Sequence, residues 1–361
     1  MSSVYNFNAG PAALPKAALE VAQKELLNFN DTGMSVMELS HRSKDYDAVH
    51  QQTKQLLKKL LSIPDTYDIL FLQGGASLQF AMLPYNLLPQ NKVGQYVLTG
   101  SWSEKALKEA TLIGETNVLA STKDSNYSTI PDLRDAPFTD NDAYVHITSN
   151  NTIYGTQWKQ FPSISHAPLV ADMSSDILSK KIDVNQFGMI YAGAQKNLGP
   201  SGVTVVIVKK ELVQQAQVEH VPTMLRYGTF AKNDSLYNTP PTFGIYLLGK
   251  VLEWADSIGG LEKLEQVNEE KAKILYDTID SSDGFYKGHA HPSARSSMNV
   301  TFTLPNEELS KSFLSLAKER GFVGLNGHRS IGGCRASIYN AVPIEACIAL
   351  RDLMNEFKSN N

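Results

Sequence analysis

Between Tyr67 and Val208 the chain repeats one pattern, a short apolar run followed by a turn and a helical stretch. The runs read "YDILFLQGG", "QYVLTG", "NVLAS", "AYVHITSN", "PLVADMSS", "GMIYAGAQ" and "GVTVVIVKK". Runs this short and this continuously apolar are strands buried on both faces, because a half-exposed strand would alternate apolar and polar residues. Strands separated by helices in turn predict an α/β fold whose mostly parallel, mixed sheet is covered by helices. Such sheets bind ligands outside the carboxyl ends of their strands. The polar residues directly after each run are therefore the candidates for function.

After Pro241 the pattern changes. "TFGIYLLGKVLEWADSIGGLEKLEQ" reads as one helix ended by Gly259-Gly260 and a second begun there. A strand "SMNVTFTL", a helix from Asn306 to Arg320, a glycine-rich loop "GLNGHRSIGGCRASIYN" and a last helix from near Pro343 follow. A chain of 361 residues has room for two domains. The expected division is a large domain of residues 1–255 and a small C-terminal α+β domain of residues 256–361, with residues 1–15 packing on the small one.

Several classes of function are disfavoured. A net charge of −4 gives no long-range attraction for nucleic acid or an anionic membrane, so any basic site must be local. No segment approaches the ~18 consecutive apolar residues of a membrane span, and the N-terminus lacks the pattern of a signal peptide, so a cytoplasmic protein is expected. Cys334 and Cys347 form no CxxC pair, which argues against a disulfide framework or a zinc site; no metal is expected. No GxGxxG follows a strand, as a nicotinamide enzyme would need.

Four candidates sit at strand ends. Asp172 closes "PLVAD"; a carboxylate there is costly unless paired, although aspartate also serves in such places as a cap or turn residue. Lys196 follows "GMIYAGAQ", 24 residues on, one strand-plus-connection unit, so the two can face one pocket. A lysine in a loop ordinarily points to solvent. The small neighbours Ala192, Gly193, Ala194 and Gly199 favour instead a pocket where something planar approaches the backbone, in which a desolvated lysine becomes a carbonyl nucleophile. A Schiff-base lysine facing an aspartate is the pair that pyridoxal phosphate requires. That cofactor also needs a phosphate site and a stacking partner. Gly74-Gly75-Ala76-Ser77 makes either an anion cup at a helix start or a plain strand-to-helix turn. Trp102 is either the stacking ring or a core aromatic.

Taken together, "NFNAGPAALP", "ELSHRS", "FLQGGASLQF", "TSNNTIYGTQ", "ADMSSDI", "YAGAQKNLGPSG", "NTPPTFGIY" and "GHRSIGGCRASIYNAVP" resemble the phosphoserine aminotransferase family, pyridoxal-phosphate enzymes of the aspartate-aminotransferase fold type within the class V aminotransferases. The resemblance runs from Asn6 to Pro343. It implies that Lys196 forms the Schiff base and that Asp172 meets the pyridine nitrogen. It further implies that Trp102 stacks on the ring, Thr152 bonds near the phenolic oxygen, and Ala76, Ser77 and Gln195 touch the phosphate. Asn238 and Thr239 would reach the phosphate of the partner subunit's cofactor, which implies a homodimer with shared active sites.

The implied substrates are phosphohydroxypyruvate or phosphoserine on one side and glutamate or 2-oxoglutarate on the other, exchanged in ping-pong fashion through pyridoxamine phosphate. The related 3-hydroxy-2-oxo-4-phosphooxybutanoate is a further expected substrate. Anions of this kind call for clustered Arg and His. By resemblance Arg335 takes the α-carboxylate, and His41, Arg42, His328 and Arg329 take the phosphate or side-chain carboxylate, several of them across the dimer interface. Some members of the family carry arginine where Ser77 stands, so phosphate binding here falls to the other basic residues. Two rivals remain open at this point. A cysteine desulfurase of the same fold would use Cys334, and a non-catalytic binding protein could have kept the fold.

Overall fold

The computed structural model describes residues 4–361. Seven strands form the main sheet: β1 (Tyr67–Leu72), β2 (Val93–Leu98), β3 (Thr116–Ser121), β4 (Asp142–Thr148), β5 (Leu169–Asp172), β6 (Met189–Gly193) and β7 (Thr204–Lys209). Their order is β1-β7-β6-β5-β4-β2-β3. All neighbours run parallel except β7, which is antiparallel to both β6 and β1 and makes the sheet mixed.

Alternate residues of the same strands feed separate cores, as the two-residue period of a strand demands. Leu169, Ala171, Ile190 and Ile207 pack on one side with Leu57, Ile245 and Leu248. Val170, Met189, Tyr191 and Val206 pack on the other with Phe80, Tyr96 and Tyr144. All seven residues of β4 are buried, which is why it reads as one apolar run.

A second body of structure holds three antiparallel strands, β8 (Lys287–Gly288), β9 (Asn299–Thr303) and β10 (Cys334–Ser337), with helices Glu307–Glu319 and Ile344–Ser359. Its core gathers Val300, Phe302, Phe313, Phe322, Leu350 and Phe357, together with Phe7 from the start of the chain. Tyr5–Asn6 pairs in parallel with Phe322–Val323, which brings Phe7 there. Helix Gly260–Asp280 joins the two bodies: Leu261 and Leu264 belong to the first core, Ala272 and Leu275 to the second. Gly259 and Gly260, at φ 110° and 68°, make the break from the preceding helix Thr242–Ser257 in a conformation that disfavours other residues.

Lys271, on the joining helix, has no exposed surface and donates to the carbonyls of Ile338 (2.9 Å), Tyr339 (2.8 Å) and Val342 (3.1 Å). It thereby closes the link between β10 and the last helix. No helix among the described residues is long and apolar enough to cross a membrane.

Candidate active site

Strands β2, β4, β5 and β6 end at one edge of the sheet, where β2 and β4 bracket the change of strand order. A cavity of about 390 Å³ opens there. Asp172 is the last residue of β5 and only 6% exposed. The turn after it aims two donors back at Oδ1, the Ser174 amide (2.9 Å) and hydroxyl (2.6 Å), an arrangement aspartate makes readily with the residue two positions on. Oδ2 has no hydrogen-bond partner among the described residues. Burial raises the carboxyl above its ordinary value, while Ser174 and the charge of Lys196 work against that shift.

Lys196 lies in the turn that follows β6 and enters the same cavity. Its Nζ donates to Thr152 Oγ1 (2.8 Å) and lies 5.7 Å from the centroid of the Trp102 ring. Desolvation brings its pKa down to about 8, with Asp172 pulling up and Arg335 pushing further down. The amine is thus far easier to deprotonate than a surface lysine.

The remaining walls come from backbone geometry. Gly74 caps helix Gly75–Leu87 at φ 86°, and a Cβ there would fall 2.6 Å from Leu78 Cβ, so the turn demands glycine twice over. The first amides of that helix, at Gly75 to Ser77, are left without helical carbonyls and line the cavity. Trp102, the second residue of helix Ser101–Ala110, walls the cavity while its buried Nε1 has no partner among the described residues. Thr152 sits in the tight loop between Asn150–Asn151 and Thr156–Gln157, directly after β4. Its carbonyl accepts from Arg335 Nη1 on β10 (3.3 Å).

Of the residues singled out from sequence, Ala76, Ser77, Trp102, Thr152, Asp172, Gln195 and Lys196 line this one cavity. Arg335 reaches its edge through Thr152. His328 belongs to the same neighbourhood, pressed below its ordinary pKa by burial and by the cations Arg335, Arg329 and Lys105. Arg329 is exposed on the same loop as His328, and the other four are not brought there within one chain. Asn238 lines a separate cavity of about 110 Å³ beside Phe71–Gln73, Thr239 and Arg42 are exposed, and His41 is half-buried away from the cavity.

Some cavity residues had not been singled out. Ser174 stands in "ADMSSD", and its spacing from Asp172 is the available signal. Asp176 in the same string lies behind the cavity wall, buried and held by Ser149 Oγ and by Gln157 Nε2 (3.1 Å). Gly10 and Pro11 enter from the far N-terminus, where the Ala12 amide bonds the Gln195 carbonyl (2.9 Å) and a Cβ on Gly10 would lie 3.5 Å from Lys196 Cγ.

Comparison with known proteins agrees over the whole chain. The family profile described as "Aminotransferase class-V" matches residues 4–349. The phosphoserine aminotransferase of Alkalihalobacillus alcalophilus is 70% identical over 360 residues, covering 100% of this chain and 99% of that protein. That of Bacillus subtilis (strain 168) is 60% identical over 361 residues, 100% of both. A solved structure described as radiation damage of the Schiff base in phosphoserine aminotransferase superposes with a TM-score of 0.99 at 70% identity, covering 100% of both chains. The pyridoxal-phosphate-bound phosphoserine aminotransferase of Trichomonas vaginalis gives 0.93 at 37%, covering 98% of this chain and 100% of that one. The chain belongs to the class-V aminotransferase family.

Proposed function

We propose that this chain is a pyridoxal-phosphate-dependent transaminase that converts 3-phosphohydroxypyruvate and L-glutamate to O-phospho-L-serine and 2-oxoglutarate, a step in serine biosynthesis, as a cytoplasmic homodimer. The observation that carries the reading is the meeting of Lys196, Asp172, Trp102 and the Gly74–Ser77 helix start around one cavity, in a chain 70% identical to a phosphoserine aminotransferase.

The residues fit the cofactor. Thr148 Oγ1, without a partner among the described residues, and the free helix amides are donors for a phosphate, the open Asp172 Oδ2 is an acceptor for a protonated ring nitrogen, and the indole offers a flat wall. Once bound, pyridoxal phosphate supplies an electrophilic carbonyl and a ring that takes up electron density when a Cα–H bond breaks.

The chain's own groups do the rest. With a pKa near 8, Lys196 keeps roughly a tenth of its amine neutral at pH 7, against about one part in 10³ for a surface lysine. It can therefore attack a carbonyl, and once displaced it can carry a proton to and from the substrate α-carbon. Thr152 Oγ1 orients that amine. Ser174 favours the charged form of Asp172 against its burial. Arg335 offers a planar fork to the α-carboxylate, while His328 and Arg329 face the distal anion. Asn238, Thr239, His41 and Arg42 would complete the partner's site. The exposed apolar side chains of Leu27 (84%), Met37 (54%) and Tyr237 (48%), in neighbouring segments, support a partner surface there.

The desulfurase reading is disfavoured by Cys334, which has no exposed surface and a thiol pushed up to about 12 by burial. Lys196→Ala tests the proposal. Loss of the visible absorption of the lysine-bound cofactor and of turnover of O-phosphoserine with 2-oxoglutarate is expected; retention of both would refute it.

A further inference from the structure

Lys105 stands one helical turn beyond Trp102 on helix Ser101–Ala110, with its Nζ 4.2 Å from the centroid of the indole ring. The ring it touches walls the cavity that holds Lys196. A cation at a protein surface ordinarily finds a carboxylate. Its neighbour Glu104 is turned away, bonded to Lys123 Nζ (2.9 Å) and Tyr127 Oη (2.5 Å). Among the described residues Lys105 has no acidic partner within ion-pair distance.

Toward His328, the charges that Lys105 joins are of the same sign. Burial, and then the charges of Arg335, Arg329 and Lys105, disfavour protonation of His328. Ile331, on the loop carrying His328 and Arg329, packs against the same apolar cluster as Trp102. Cations that converge without a counter-charge cost free energy in the empty protein. They return it when an anion arrives, and a doubly charged phosphate returns more than a single carboxylate.

Resting on the function proposed above, we propose that Lys105 is a specificity-determining residue whose ammonium, braced on the Trp102 ring, reads the distal anion of the substrate and favours phosphate over carboxylate. Its Nζ sits over the indole, so the charged head is held at the ring that walls the cavity, without a buried counter-ion among the described residues. A lysine suits this position because the site it faces must accept both the dianion and the monoanion in the two halves of the reaction.

The test uses the wild-type holoenzyme with Lys105→Met and Lys105→Arg, and measures steady-state constants for O-phosphoserine and for glutamate separately. Lys105→Met is expected to raise KM for O-phosphoserine about fivefold, the size of one partly screened charge contact, with a smaller rise for glutamate and a smaller change in kcat. The dependence of KM for O-phosphoserine on ionic strength should flatten, and Lys105→Arg should restore both. Equal KM changes for the two substrates, or none, would overturn the inference. So would a Lys105→Met protein whose main defect is an altered visible cofactor spectrum, since Lys105 would then act only by fixing Trp102. If the wild-type protein does not turn over O-phosphoserine, the proposed function and this inference fall together. Wild-type turnover with an unchanged KM in Lys105→Met removes the inference alone.

Discussion

Removing the Ser174 hydroxyl isolates one of the contacts that favour the charged form of the buried Asp172. Ser174 Oγ donates to Asp172 Oδ1 at 2.6 Å and accepts the Gly193 amide at 3.1 Å, so Ser174→Ala breaks two bonds in a buried place. A hydrogen bond to a charged group contributes about 1.5–3 kcal/mol. The Ser174 amide still donates to the same oxygen, so the lower figure is appropriate, and at ~1.4 kcal/mol per factor of ten kcat should fall about tenfold. The pH dependence gives the sign. Burial already raises the Asp172 pKa, and losing a bond that favours the charged form raises it further. Activity is lost as pH falls through that pKa, so the acid limb of the kcat profile moves to higher pH. The orphaned Gly193 amide should separately lower unfolding free energy by about 1–3 kcal/mol in urea titrations. Ser174→Thr restores the hydroxyl and should recover the profile. A Ser174→Ala enzyme with the wild-type kcat and acid limb would refute the argument that this serine holds the charge on Asp172.

Two further outcomes can be checked with the purified protein. Burial holds Lys271 down to about 8 from 10.5. Because the folded value is the lower one, its burial cost is complete below pH 8 and is relieved as pH rises; from pH 8 to 9.5 the wild-type protein should gain about 1.5 kcal/mol more than Lys271→Met in urea unfolding. Equal gains in the two proteins would show that Lys271 is not desolvated. Cys334 and Cys347 are both fully buried with thiols near 12, so a native thiol titration should find no fast-reacting group and incubation with cysteine should release no sulfide. A rapid thiol or a sulfide signal would reopen the desulfurase reading.

What could be read from sequence follows the range of the forces involved. The strands were legible because burial on both faces leaves an unbroken apolar run, as in β4. The helix break at Gly259-Gly260 was legible because its backbone angles suit glycine and little else. Asp172, Trp102 and Lys196 could be picked out because the strand ends they follow lie at one edge of the sheet, whereas Thr152 was named through resemblance. The antiparallel direction of β7 was hidden, since it depends on how the chain returns after Lys196 and not on any local pattern. Gly10 was hidden for a similar reason: it reaches the cavity only because Tyr5–Asn6 pairs with Phe322–Val323, more than 300 residues away. Ser174 lay in plain view, but nothing in its identity told a turn residue from the group that holds the carboxylate. His41, Arg42, Asn238 and Thr239 were named through resemblance, and one chain alone gives them no anion to meet.

Thr152 has a consequence for how such an enzyme can change. Its hydroxyl takes the Lys196 amine and its carbonyl takes Arg335, while the carbonyl of the next residue, Ile153, takes Thr301 Oγ1 (3.1 Å) from β9. A single short loop thus ties the Lys196 amine to Arg335, which the proposed function assigns to the α-carboxylate, and both to the smaller sheet. A mutation that retunes recognition at that end also disturbs the nucleophile, so this half of the site is inherited as a block. The opposite end, where the proposals put Lys105 with the loop of His328 and Arg329, is tied to that amine by no hydrogen bond among the described residues. New substrate preferences, whether selected in the laboratory or accumulated over generations, should therefore collect on the side of the distal anion and leave the α-amino acid end unaltered.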